Sequence, residues 1–109
     1  MTTESQVVQT AMELPVRPES RAAVVALFAE LGVLELAGRN EGFLRGRLLV
    51  PEDPVKPIVV LSEWDGFAAI QRWVDDPARI RVNEALAPHL DGEPVRHEYT
   101  IALEWPDGP

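Results

Sequence analysis

Between Ser62 and Gly92 the chain passes from the end of an apolar run through two helical patterns parted by a proline, and that succession leaves few folds open. Ile58 to Trp64 is apolar up to Ser62 and Glu63 and follows Pro57, which reads as a strand. Asp65 can cap the helix after it, on which Phe67, Ile70, Trp73 and Val74 share a face. Asp76-Pro77 then restarts a helix, with the acid at the cap and the proline at the first helical position, where a missing N–H costs nothing. In this second piece Ile80, Asn83, Leu86, Ala87 and Leu90 fall on one side, so an amide interrupts an apolar stripe. Asp91-Gly92 stops it.

The flanks supply the remaining elements. Val7 to Val16 is an apolar run of strand length, and Pro18-Glu19 suits the first turn of a helix. Val24, Leu27, Phe28, Leu31 and Leu34 recur at spacings of three and four, a helical stripe that ends at Gly32 or runs on to Gly38. After the turn residues Asn40-Glu41-Gly42, Phe43 to Val50 reads as a strand with Phe43, Arg45, Arg47 and Leu49 on one face. Pro51 to Pro57, which contains the single lysine Lys56, is an exposed connection. Val95 to Trp105 alternates, with Val95, His97, Tyr99, Ile101, Leu103 and Trp105 on one side. The order is β-α-β-β-α-β, an α+β, ferredoxin-like arrangement in which an antiparallel sheet carries two helices on one face.

With 109 residues the chain has the size of one domain, and an ordered core is expected from about residue 7 to residue 105. Because the second and third strands are apolar on both faces, a homodimer packed sheet against sheet is expected. Eighteen acidic against 10 basic residues give a net charge of −8, a field that repels nucleic acid and anionic membrane surfaces. No cysteine is present, which excludes disulfides, thiolate metal sites and cysteine nucleophiles. His89 and His97 have no HExxH or HxH companion, so no metal is expected. No apolar run approaches membrane-spanning length and the first residues lack a signal-peptide pattern, so the expected location is the cytoplasm.

A βαββαβ chain of this length with SEW closing the third strand, DGFAAIQRW on the next helix, a break at DP, and ALAPHLDG before an aromatic strand resembles the antibiotic biosynthesis monooxygenase family of dimeric α/β barrels. The likeness runs from about Val7 to Trp105. It implies a pocket between helices and sheet that takes a small aromatic molecule, a polycyclic phenol or polyketide, without metal or flavin. Trp64 matches the family's pocket tryptophan. Cofactor-free members often carry an asparagine four residues before it and an aromatic hydroxyl six residues after it, where this chain has Val60 and Ile70. The haem-degrading branch needs a histidine on the following helix, and Asp65 to Pro88 holds none, so no haem is expected.

The residues themselves nominate a site. His97 and Tyr99 project to one side of the last strand about 7 Å apart, and an imidazole beside a phenol can move a proton and donate to a developing enolate; the plainer alternative is two sheet-face residues with backbone partners. Asn83 is the third catalytic candidate, because a polar group in an apolar stripe must be paired or face a cavity. Trp64 and Trp73 are candidates for substrate contact, with core packing as the alternative. Gln9, Arg45 and Arg47 could hold an anionic oxygen, although salt bridges at a dimer interface account for the arginines more simply. The expected function is a cofactor-independent monooxygenase. A polyketide cyclase of the same fold, closing rings through an enolate without oxygen, and a non-catalytic metabolite-binding barrel are the alternatives.

Overall fold

The computed structural model describes residues 7–106 of the chain. Its elements are β1 (Val8–Leu14), α1 (Arg21–Leu31), α2 (Val33–Gly38), β2 (Phe43–Leu49), β3 (Ile58–Trp64), α3 (Phe67–Val74), α4 (Pro77–Leu86) and β4 (Val95–Thr100), with single 3-10 turns at Pro18–Ser20 and Ala87–His89. The four strands form one antiparallel sheet in the order β2-β3-β1-β4. Burial alternates on the inner strands except at Met12 and Val60, which face the helices half-buried. Val8, Thr10 and Leu14 of β1, and Ile58, Ser62 and Trp64 of β3, are buried on the face the helices cover.

Both helical stretches are bipartite, for different reasons. Gly32 adopts φ 63°, ψ 45°, a left-handed conformation that ends α1 and lets the chain restart as α2. Between α3 and α4 the break is chemical. The Asp76 carboxylate accepts the Ala78 N–H at 3.0 Å and Pro77 occupies the first position, as the sequence indicates. Asp65 makes no corresponding cap, since Gly66 precedes α3 with no side-chain bond to the helix.

Two expectations change. The apolar alternation expected to run as strand to Trp105 stops at Thr100, because Thr100 pairs with Val8, the first residue of β1, and a strand that passes its neighbour's end has no ladder to join. Leu103 and Trp105 lie beyond that point and are almost fully exposed. In β2 the register shifts between Phe43 and Arg45, so Leu44 is an extra residue. The bulge turns Phe43 to the helix side, where its ring meets that of Trp64 edge-on at 5.0 Å, while Arg45, Arg47 and Leu49 keep the outer face.

The core falls into two clusters. Leu14, Val24, Phe28, Ile58, Val82 and Leu86 make one; Val8, Ala37, Trp64, Ala69 and Ile70 make the other. A hollow separates them, lined by members of both.

Candidate functional site

The hollow has a volume of about 840 Å³, enough for a molecule of several fused rings, and lies between the sheet and the helices. Its floor is the helix-facing side of the sheet. Thr10, Met12 and Leu14 come from β1, Val60, Ser62 and Trp64 from β3, and Arg96 and Glu98 from β4. Its wall includes Phe28 and Val33 with Ile70, Trp73, Arg79, Val82, Asn83 and Leu86, and Gly92, Glu93 and Pro94 lie at its edge toward β4. Apolar residues outnumber polar ones in the lining, the usual composition of a small-molecule site, and the hollow is open on one side.

Two buried hydroxyls interrupt the apolar floor. Trp64, 3% exposed, donates its indole Nε1–H to Thr10 Oγ1 at 3.0 Å. Thr10 and Ser62 are directly opposed across β1 and β3, each 6% exposed, and both line the cavity. Toward β4 the charges are partly cancelled, since Arg96 Nη2 lies 3.0 Å from Glu98 Oε2. Arg79 is half-buried and has no carboxylate within ion-pair distance among the described residues. No group of three or more His, Cys, Asp or Glu able to hold a metal occurs among the described residues, and no helix there is long and apolar enough to cross a membrane.

Of the residues singled out in the sequence, Trp64, Trp73 and Asn83 come together on this cavity. Asn83 does so from an exposed position, because the buried stripe of α4 is Ala78, Val82 and Leu86, and Ile80 is turned outward. His97 and Tyr99 do not share the hollow with Trp64. The antiparallel register pairs them with Ala11 and Gln9, whose side chains leave the opposite face of the sheet, and period two then sends Arg96 and Glu98 to the cavity. On that outer face the His97 ring stacks on Tyr99 at 6.4 Å and its Nε2 lies 3.5 Å from Glu13 Oε2. Gln9, Arg45 and Arg47 lie there too, with Arg45 Nε 3.6 Å from Glu63 Oε1.

Thr10, Ser62, Arg79, Arg96 and Glu98 are absent from the sequence-based nomination. The signal for two of them, Ser62 and Thr10, is present in the alternation: once Trp64 faces inward, Ser62 must, and the even-numbered residues of β1 follow through the pairing. No such signal picks the inward face of β4, where the polar side is the one turned to the cavity and both Arg96 and Glu98 stay exposed.

The profile of the antibiotic biosynthesis monooxygenase family matches residues 7–85. No curated protein sequence matches the chain. Among solved structures, a variant of SnoaB, a cofactor-independent oxygenase from Streptomyces nogalater, is similar with a TM-score of 0.76 at 21% identity over 94% of this chain and 99% of that one. A conserved protein from Methanosarcina mazei Go1 superposes with a TM-score of 0.74 at 19% identity, covering 87% of this chain and 92% of its own. Rv0793 from Mycobacterium tuberculosis gives 0.72 at 18% identity, with 93% and 99% covered. At these identities the likeness concerns the fold.

Proposed function

We propose that this chain, which belongs to the antibiotic biosynthesis monooxygenase family, is a cofactor-independent monooxygenase of the cytoplasm that acts on a polycyclic phenol or aromatic polyketide. The observation that carries the reading is the cavity itself, about 840 Å³, walled by Trp64 and Trp73 and floored by two hydroxyls. Its lining can hold a fused-ring substrate as its enolate or phenolate in a mostly apolar site, where fixed donors act more strongly than they do in water. Arg79, without a carboxylate partner among the described residues, supplies the compensating positive charge. A proton removed from carbon passes to a carboxylate of the lining, Glu93 or Glu98. The carbanion then gives an electron to dioxygen, and the resulting radical pair joins through a C–O bond. Loss of water leaves a new carbonyl, so one oxygen atom enters the product and the other leaves as water.

A second reading, ring closure without oxygen, is favoured by Val60 and Ile70. Both line the cavity, and they stand where cofactor-free members of the family often carry an asparagine and an aromatic hydroxyl. Enolisation followed by aldol closure would use the same donors. Oxygen-electrode measurements with a dihydroxyanthrone separate the two: uptake of one O₂ per quinone formed is the expected result. Absence of uptake together with cyclisation of a poly-β-ketone would replace the oxygenase reading, and absence of both would leave a binding barrel.

The reading includes a homodimer. The outer sheet face presents Leu49, Val59, Leu61, Val95 and Tyr99 among the charged side chains, and residues 101–105 continue past β4 with no strand partner among the described residues. Leu103, 93% exposed, and Trp105, 86% exposed, are covered most simply by a second copy.

A further inference from the structure

Burying a hydroxyl without a partner costs on the order of 1–3 kcal/mol, so a buried hydroxyl facing an apolar hollow points to a missing acceptor or donor. Ser62 lies on the cavity floor at 6% exposure and makes no side-chain hydrogen bond among the described residues, and its oxygen is reached from the hollow, since Arg21 Nε is the one fully buried side-chain polar atom among them that lacks a partner. Thr10 differs in one respect. The Trp64 indole donates into its oxygen at 3.0 Å, which occupies a lone pair and leaves the hydroxyl hydrogen to be given away. The two residues are register partners on adjacent strands, which sets their β-carbons about 4.5–5.5 Å apart on one face. Ser62 Oγ is turned toward Gly46 on β2, so one oxygen placed over the pair accepts from both once the Ser62 hydroxyl rotates toward β1.

We propose that Thr10 and Ser62 form an oxygen-binding subsite, holding the buried oxygen of an aromatic ligand as carbonyl, enolate or phenolate, with Trp64 as the positioning residue that sets the direction of the Thr10 hydroxyl. The proposal rests on the cavity being an aromatic site, as argued above, and adds which end of the ligand goes in first and in which ionic form. The aromatic body lies toward Trp73 and Ile70, and its oxygen reaches the sheet. Because both groups can donate, the anionic form of the ligand binds more tightly than the neutral one, and the bound phenol ionises at lower pH than the free phenol.

The test is a spectrophotometric titration of 2-hydroxyanthraquinone, an air-stable phenol with distinct neutral and anionic bands, bound to the full chain and to Thr10→Val, Thr10→Ser and Ser62→Ala. The expected result is a lowered phenol pKa on the wild-type protein, retained by Thr10→Ser. Affinity for the phenolate should fall about tenfold in Thr10→Val and in Ser62→Ala, with a smaller loss for the neutral phenol. In parallel the Trp64 indole N–H resonance should move in Thr10→Val. Binding of the probe with the same pKa in wild type, Thr10→Val and Ser62→Ala overturns the subsite and leaves the aromatic cavity standing. If circular dichroism shows Thr10→Val unfolded, unchanged pKa and affinity in Ser62→Ala alone overturn it. Failure of the folded wild-type chain to bind the probe overturns the aromatic cavity and the subsite together.

Discussion

Trp64 and Trp73 line the same cavity from β3 and α3 and do different work, which their surroundings separate. Trp64 is buried, packs edge-on against Phe43 and spends its only donor on Thr10, so it offers a ligand ring surface and no hydrogen bond. Trp64→Ala should cost about 3–5 kcal/mol in urea unfolding, as deletion of a large core aromatic does. Trp73 is half-buried on the cavity wall. Trp73→Ala should cost less stability and weaken an aromatic probe about 2- to 10-fold, the worth of one lost ring contact. At Asp76 the bond from the Ala78 N–H, followed by that from the Asn40 side chain at 3.1 Å, holds the carboxyl below the ordinary aspartate range. A carboxyl whose folded pKa is depressed contributes stability above its unfolded pKa and loses it as pH falls through the folded one. Asp76→Ala should therefore lower Tm at pH 7, and the deficit should shrink below about pH 4. Asp76 was legible in the sequence because its cap is local; the Thr10 bond to Trp64 spans 54 residues of chain and was not.

At the scale of elements, the joints carry the specificity. Gly42 has φ 96°, and a β-carbon there would stand 2.5 Å from Asp65 Oδ1 and 2.6 Å from Ala69 Cβ. Its carbonyl also accepts the Asp65 N–H at 2.8 Å, which fixes the start of α3 against the entry to β2. Gly42→Ala should destabilise by about 1–3 kcal/mol, measured by urea unfolding, because strain and a steric clash act together. The connection between β2 and β3 is held from a distance: the Arg21 guanidinium donates to the carbonyls of Pro51, Asp53 and Lys56. Arg21→Ala should lose about 1–2 kcal/mol and raise proteolysis within residues 51–57. Both contacts join segments far apart in sequence. The turn at Asn40-Glu41-Gly42 and the prolines of the connection announce that joints exist, and say nothing of what they touch.

For the whole molecule, the sheet has one face given to the cavity and one carrying apolar and charged side chains together. If a second copy covers the outer face, Leu61→Glu should convert the dimer into a folded monomer, with sedimentation velocity showing the change and circular dichroism showing the helices intact. A wild-type monomer at high concentration would remove the dimer from the reading. The sequence by itself determined the element order, the ferredoxin-like sheet with helices on one face and the break at Asp76-Pro77, because periodicity and caps are written within a dozen neighbouring residues. Only the tertiary structure decided which face of β4 is turned to the cavity, that a bulge at Leu44 brings Phe43 onto Trp64, and that Thr10 meets Ser62. Alternation divides a strand into two faces and cannot label them when the face over a cavity is the polar one; that label comes from pairing with β1, a contact between the two ends of the chain.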